Sequence, residues 1–116
     1  MIPGFYKRRR NHIGEDDVAE VLEVDWTLKW VEKVADPCDN RGYCWDTKNT
    51  KYLCEDGTNW RKDKFHLTTF KSLEEAESLC KLLRATTDYN VYIGVMRHEK
   101  VRSKDGPTYC RMFEEH

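Results

Sequence analysis

Three cysteines and one histidine have the chemistry that is easiest to name. Cys38, Cys44, Cys54 and His66 offer thiolate and imidazole, the donors that zinc takes in a tetrahedron. Their spacing is C-x5-C-x9-C-x11-H, without the C-x2-C knuckle on which structural zinc sites are commonly built. The competing reading places Cys44 and Cys54 as half-buried residues facing each other across a hairpin. No cofactor is therefore expected, with a zinc-stabilised interaction module as an alternative. The start of the chain has no apolar run after Lys7-Arg8-Arg9-Arg10, so a cytoplasmic, reducing location is expected, with the five cysteines as thiols.

Cations are the second set. Lys7, Arg8, Arg9 and Arg10 follow Phe5-Tyr6, and Arg61, Lys62 and Lys64 follow Trp60. Guanidinium and ammonium groups neutralise phosphates, and an adjacent ring can stack on a base. The competing reading is a solvated arm and a solvated loop. With 20 basic and 21 acidic side chains the net charge is −1, which gives no overall drive towards nucleic acid. Nucleic-acid binding is the alternative function.

Catalytic signatures are missing. The chain has no Gly-rich phosphate loop, H-E-x-x-H or G-x-S-x-G. Cys80 falls on the apolar face of a helix and Cys110 in a strand, positions that suit core filling better than nucleophilic attack. A non-enzymatic protein is expected. Rings remain: Tyr43, Trp45, Tyr52 and Trp60 cluster in sequence, and Trp and Tyr are enriched where proteins meet. Cross-strand packing accounts for part of such a cluster. One helix covers one face of a sheet, so rings on the uncovered face would form a contact surface with a protein partner.

The elements that must position these residues are legible in outline. Residues 1–14 form a basic N-terminal arm and 15–116 a single domain. The acidic run from Glu15 to Val21 suggests a short helix. Leu22, Val24, Trp26, Leu28 and Trp30 then alternate with Glu23, Asp25, Thr27 and Lys29, the period of a strand with one buried and one solvated face. Tyr43–Trp45 and Tyr52–Cys54 flank a polar centre and suggest a hairpin, ended by Glu55–Asn59. Lys64 to Phe70 is a further strand or an extended lead into a helix. Ser72-Leu-Glu-Glu75 is a capping box, and Leu73, Ala76, Leu79, Cys80 and Leu83 share one helical face. Val91, Ile93 and Val95 mark another strand, and Tyr109 to Phe113 a last one after the Lys104–Pro107 turn. The sum is an α+β fold, an antiparallel or mixed sheet of about four to six strands with one main helix packed on one face. No stretch approaches the roughly 20 apolar residues of a membrane helix.

Tyr52-Leu-Cys-Glu-Asp-Gly-Thr-Asn-Trp60 and Thr69-Phe-Lys-Ser-Leu-Glu-Glu-Ala76 resemble a pattern in small phage-encoded accessory proteins: strand, D-G turn, Trp, then F-x-S-x-E-E-A opening a helix. The resemblance covers about a quarter of the chain and implies a protein that inhibits a host or defence component in the host cytoplasm. It brings no catalytic residues. The expectation is thus a small binding protein that occupies a surface of a partner protein through Tyr43, Trp45, Tyr52 and Trp60. An exposed edge strand would allow a homodimer.

Overall fold

The structure, a computed structural model, describes residues 18–115. The basic arm at residues 7–10 lies outside them. Six strands, β1 (Val18–Ala35), β2 (Tyr43–Trp45), β3 (Lys51–Cys54), β4 (Asn59–Arg61), β5 (Val91–Ser103) and β6 (Thr108–Glu114), form an antiparallel sheet in the order β4-β3-β1-β5-β6, with β2 also on β1. Helix α1 (Leu73–Thr86) packs on it, and the α+β class expected from the sequence is the observed one.

The chain divides into two compact units. The larger holds residues 25–98 and the end of β6. Its core is Leu28, Leu53, Ala76, Cys80 and Ile93, with Trp26, Trp30, Trp60, Phe70, Leu79, Leu83, Val91 and Val95 packed against them. The helix starts where the capping box places it: the Ser72 hydroxyl accepts from the Glu75 amide at 3.4 Å. Its amphipathic face delivers Ala76 and Cys80 to the core. Near its end Arg84 reaches the sheet, where its Nε donates to the Ile93 carbonyl at 2.7 Å, a group the Cys80 thiol also approaches at 3.4 Å. Together they satisfy a β5 acceptor, and two residues further on the Val95 carbonyl takes the Glu115 amide at 2.9 Å.

The smaller unit contains residues 18–24 and 99–111 of the described chain. Val101 is fully buried in it, and the buried Glu99 carboxylate takes Arg111 Nε at 2.8 Å and Nη2 at 2.7 Å. Arg102 pairs with Glu20 from β1 to β5.

Four expectations change. Val18–Val21 is strand, not helix: β-branched Val18 and Val21 suit a pleated ladder, and Glu20 finds Arg102 on the next strand. The polar face of β1 is not simply solvated. Thr27 is fully buried, and Asp25 is buried with Oδ1 2.8 Å from His98 Nδ1 and Oδ2 3.7 Å from Lys71 Nζ. Tyr43–Trp45 and Tyr52–Cys54 do not pair with each other. Each pairs with β1, as Lys33↔Trp45 and Ala35↔Tyr43 for β2 and Lys29↔Tyr52 for β3, with a 3-10 turn (Thr47–Asn49) between them. The true hairpin is β3–β4, turned by Asp56-Gly57 with Gly57 at φ +84°. Of the expected strand or extended lead from Lys64 to Phe70, residues 64–66 form a turn instead, with Lys64 and His66 at φ +58° and +56°; beyond it Leu67 bridges Cys54 and Phe70 bridges Trp26, whose backbone groups exchange bonds of 2.9 and 2.7 Å.

Candidate functional site

Strand register sorts the four rings expected at a contact surface onto two faces. Trp60 lies opposite Leu53, which is buried against the helix, so its ring turns to the same side and meets Trp30 with centroids 5.2 Å apart. Trp60 is thus half-buried packing for the core rather than part of the uncovered face. Tyr52 lies opposite Lys29 and Arg61, on the other face, with Lys64 Nζ 5.3 Å from its ring. Tyr43 and Trp45 lie together, ring centroids 6.3 Å apart and nearly perpendicular.

Around them is a cluster that the sequence reading did not assemble. Lys33, directly opposite Trp45, sets its ammonium 4.2 Å from the Tyr43 ring, 5.3 Å from Trp45 and 5.5 Å from Tyr89. Three ring faces therefore surround one cation, an attraction of electrostatic origin. Tyr89, in the turn before β5, is 83% exposed. Arg41 lies over the Tyr43 ring, 4.9 Å from its centroid, and is held by both Asp39 oxygens at 3.0 and 3.1 Å. Those bonds, with the Arg41 amide, draw the Asp39 carboxyl down to about 2.

Beside the cluster, Trp45 meets Tyr92 at 6.3 Å, edge to face. Tyr92 donates to Glu114 Oε2 at 2.9 Å, and Lys29 Nζ lies 3.3 Å from Glu114 Oε1. Burial, then the bond to Glu114, pushes the Tyr92 phenol above its usual range. Gly94 completes this arrangement, because a Cβ there would sit 2.9 Å from the Tyr92 ring. Lys29, Val31, Trp45, Thr47, Tyr92 and Glu114 line a mainly apolar hollow of about 280 Å³.

The remaining candidates are dispersed or engaged. Cys38 is exposed in the turn before β2, Cys44 is half-buried in β2, Cys54 is fully buried in β3 and His66 is exposed in the loop after β4. Among the described residues no three His, Cys, Asp or Glu side chains gather as metal ligands, so this structure does not bring the four together. Cys44 and Cys54 fall on separate strands along β1, which also removes the cross-hairpin pairing. Burial raises the thiols of Cys44, Cys54 and Cys80. Of the second cationic cluster, Arg61 pairs with Glu55 and Asp63 at 3.3 and 3.1 Å, and Lys62 donates to Asn49 at 2.6 Å. Lys7, Arg8, Arg9 and Arg10 lie outside the described residues.

Lys33 is legible in the sequence only if the β1 alternation is continued past Trp30, which places Lys29, Val31 and Lys33 on the face away from the helix; Tyr89, in the turn before β5, carries no such signal. The same period in β5 sets Tyr92 opposite in direction to Ile93. No protein-family model, curated protein or solved structure matches this chain.

Proposed function

We propose that this protein is a non-enzymatic interaction module that occupies a surface of a partner protein, with Tyr43, Trp45, Tyr89 and Tyr92 around Lys33 as its contact face. One observation supports this above the others: the rings are divided between two duties. Trp26, Trp30, Trp60 and Phe70 pack against the helix and its core, while Tyr43, Trp45 and Tyr89 gather around a lysine away from that core. Large rings at a partly exposed surface are the usual anchors of protein interfaces. Tyr52, on the same face, extends the patch. For an accessory protein of the phage-encoded kind, such occupancy would inhibit a host or defence component.

Nucleic-acid binding has less behind it, because Arg61 and Lys62 already have partners within the fold. The test is site-specific photocrosslinking in cell lysate, with a photoreactive residue at Tyr43 or Tyr89 and a control at Lys81 on the exposed side of α1. Adducts to one protein from the first two positions, surviving nuclease, are expected. Adducts from Lys81 alone, or adducts that vanish with nuclease, would refute the assignment of the face.

A further inference from the structure

Charge at the same face narrows the partner's chemistry. Among the described residues no carboxylate lies within ion-pairing distance of Lys33, whose ammonium is held only by rings. The acids around it are engaged. Glu32 accepts from Trp30 Nε1 at 2.8 Å and lies 3.8 Å from Lys51; Asp36 accepts the Cys38 amide at 3.0 Å. Asp39 holds Arg41, Asp46 accepts Asn49 Nδ2 at 2.7 Å, and Glu114 takes both Lys29 and Tyr92. A fixed cation in a ring of apolar faces lacks only its counter-charge.

We infer that the partner segment is an extended acidic peptide, with a carboxylate side chain against Lys33 Nζ and an apolar side chain in the adjoining hollow. This rests on the reading of the face as a protein-contact surface. The Trp45 ring separates the two subsites, since it faces Lys33 and lines the hollow. At about 280 Å³ the hollow is smaller than the ~300–1,000 Å³ of small-molecule pockets and suits one side chain. In an extended peptide every second side chain points the same way, about 6.6 Å apart, so side chains filling neighbouring subsites on one face are expected two residues from each other. A polyphosphate strand fits poorly: its affinity comes from several cations, and at this face Arg41 and Lys29 already hold Asp39 and Glu114, which leaves Lys33 as the cation met by rings.

The experiment is selection from a short random-peptide library against the full chain, followed by titration of synthetic peptides and mapping by amide chemical shifts. Enriched peptides are expected to carry Asp or Glu two positions from a large apolar residue. Replacing that acid by Asn or Gln should weaken binding about tenfold, and so should Lys33→Glu. Lys33→Glu should regain affinity for the peptide bearing Lys at that position, a rescue that misfolding cannot mimic. Tyr89→Ala, at an exposed site, should weaken binding with the melting temperature unchanged. Peptides that map to this face without an acid, or that ignore Lys33→Glu, overturn the acidic partner and leave the contact face standing. Peptides that map elsewhere overturn both. Failure to enrich any peptide, or tighter binding of a thymidine oligonucleotide dependent on Lys33, overturns the peptide as occupant.

Discussion

Gly94→Ala places one methyl group where the structure has no room for it. The added Cβ would stand 2.9 Å from the Tyr92 ring, and the ring must swing off β5 to admit it. Swinging the ring breaks the Tyr92–Glu114 hydrogen bond, worth about 1.5 kcal/mol for a bond to a charged group at a half-buried site. It also separates the Trp45–Tyr92 ring pair, worth about 0.5–1.5 kcal/mol. Against these stands a backbone gain of about 0.5–1 kcal/mol for replacing glycine within a strand. The net expectation is a loss of about 1–2.5 kcal/mol, or roughly 4–10 °C in Tm for a domain of this size. Urea unfolding followed by tryptophan fluorescence measures it. The decisive arm is the same substitution in a Tyr92→Ala background, where nothing obstructs the methyl and Gly94→Ala should stabilise by about 0.5–1 kcal/mol. Equal effects in the two backgrounds would refute the argument that Tyr92 is what keeps position 94 a glycine.

Three further outcomes are expected. Ser72→Ala should lower stability by about 1 kcal/mol in urea melts, while Ser72→Asp should leave it nearly unchanged, since either side chain accepts from the Glu75 amide. Thiol labelling of the native protein should show Cys38 and Cys110 reacting first and Cys44 more slowly, with Cys54 and Cys80 reacting only as the fold opens. Because the fold raises the Tyr92 phenol above 10.0, it favours the neutral form; that contribution is complete below about pH 10 and is lost as pH rises through the folded value. Tyr92→Phe should therefore flatten the alkaline fall in urea midpoint, at a cost of about 1.5 kcal/mol near neutrality.

Elements defined by local chemistry were legible in the sequence, and pairings were not. The capping box at Ser72 and the spacing of Ala76, Leu79, Cys80 and Leu83 specify a helix within a dozen residues, and the structure has it there. Leu28 and Ile93 stand out by alternation and are fully buried. The partner of Tyr43–Trp45 is different in kind, because two short aromatic runs around a polar centre are satisfied equally by pairing with each other or with a third strand. Only the long β1, offering a free edge to both, decides it. Asp56-Gly57 reads from the sequence as the end of a hairpin, whereas the β3–β4 register makes it the turn. Trp60 followed from that: without the β3–β4 register nothing sets it beside Leu53 and the core. The contact face was half legible for the same reason. Tyr43 and Trp45 are close in sequence, whereas Lys33 and Tyr89 join them only through pairing of β1 with its neighbours.

One edge of β1 is served by separate short pieces, Phe70 at Trp26, β3 at Lys29–Trp30 and β2 at Lys33–Ala35. A break in one such piece need not travel to the next, because the 3-10 turn at Thr47–Asn49 decouples β2 from β3. Amide hydrogen exchange should then be stepped along this region rather than uniform, with β2, three residues long, opening at lower free energy than β3 beside the core. Tyr43 and Trp45 ride on that fast-opening piece. Whatever docks there must hold β2 closed, so binding should appear as slowed exchange at Lys33–Ala35 and Tyr43–Trp45 while the amides of α1 stay as they were.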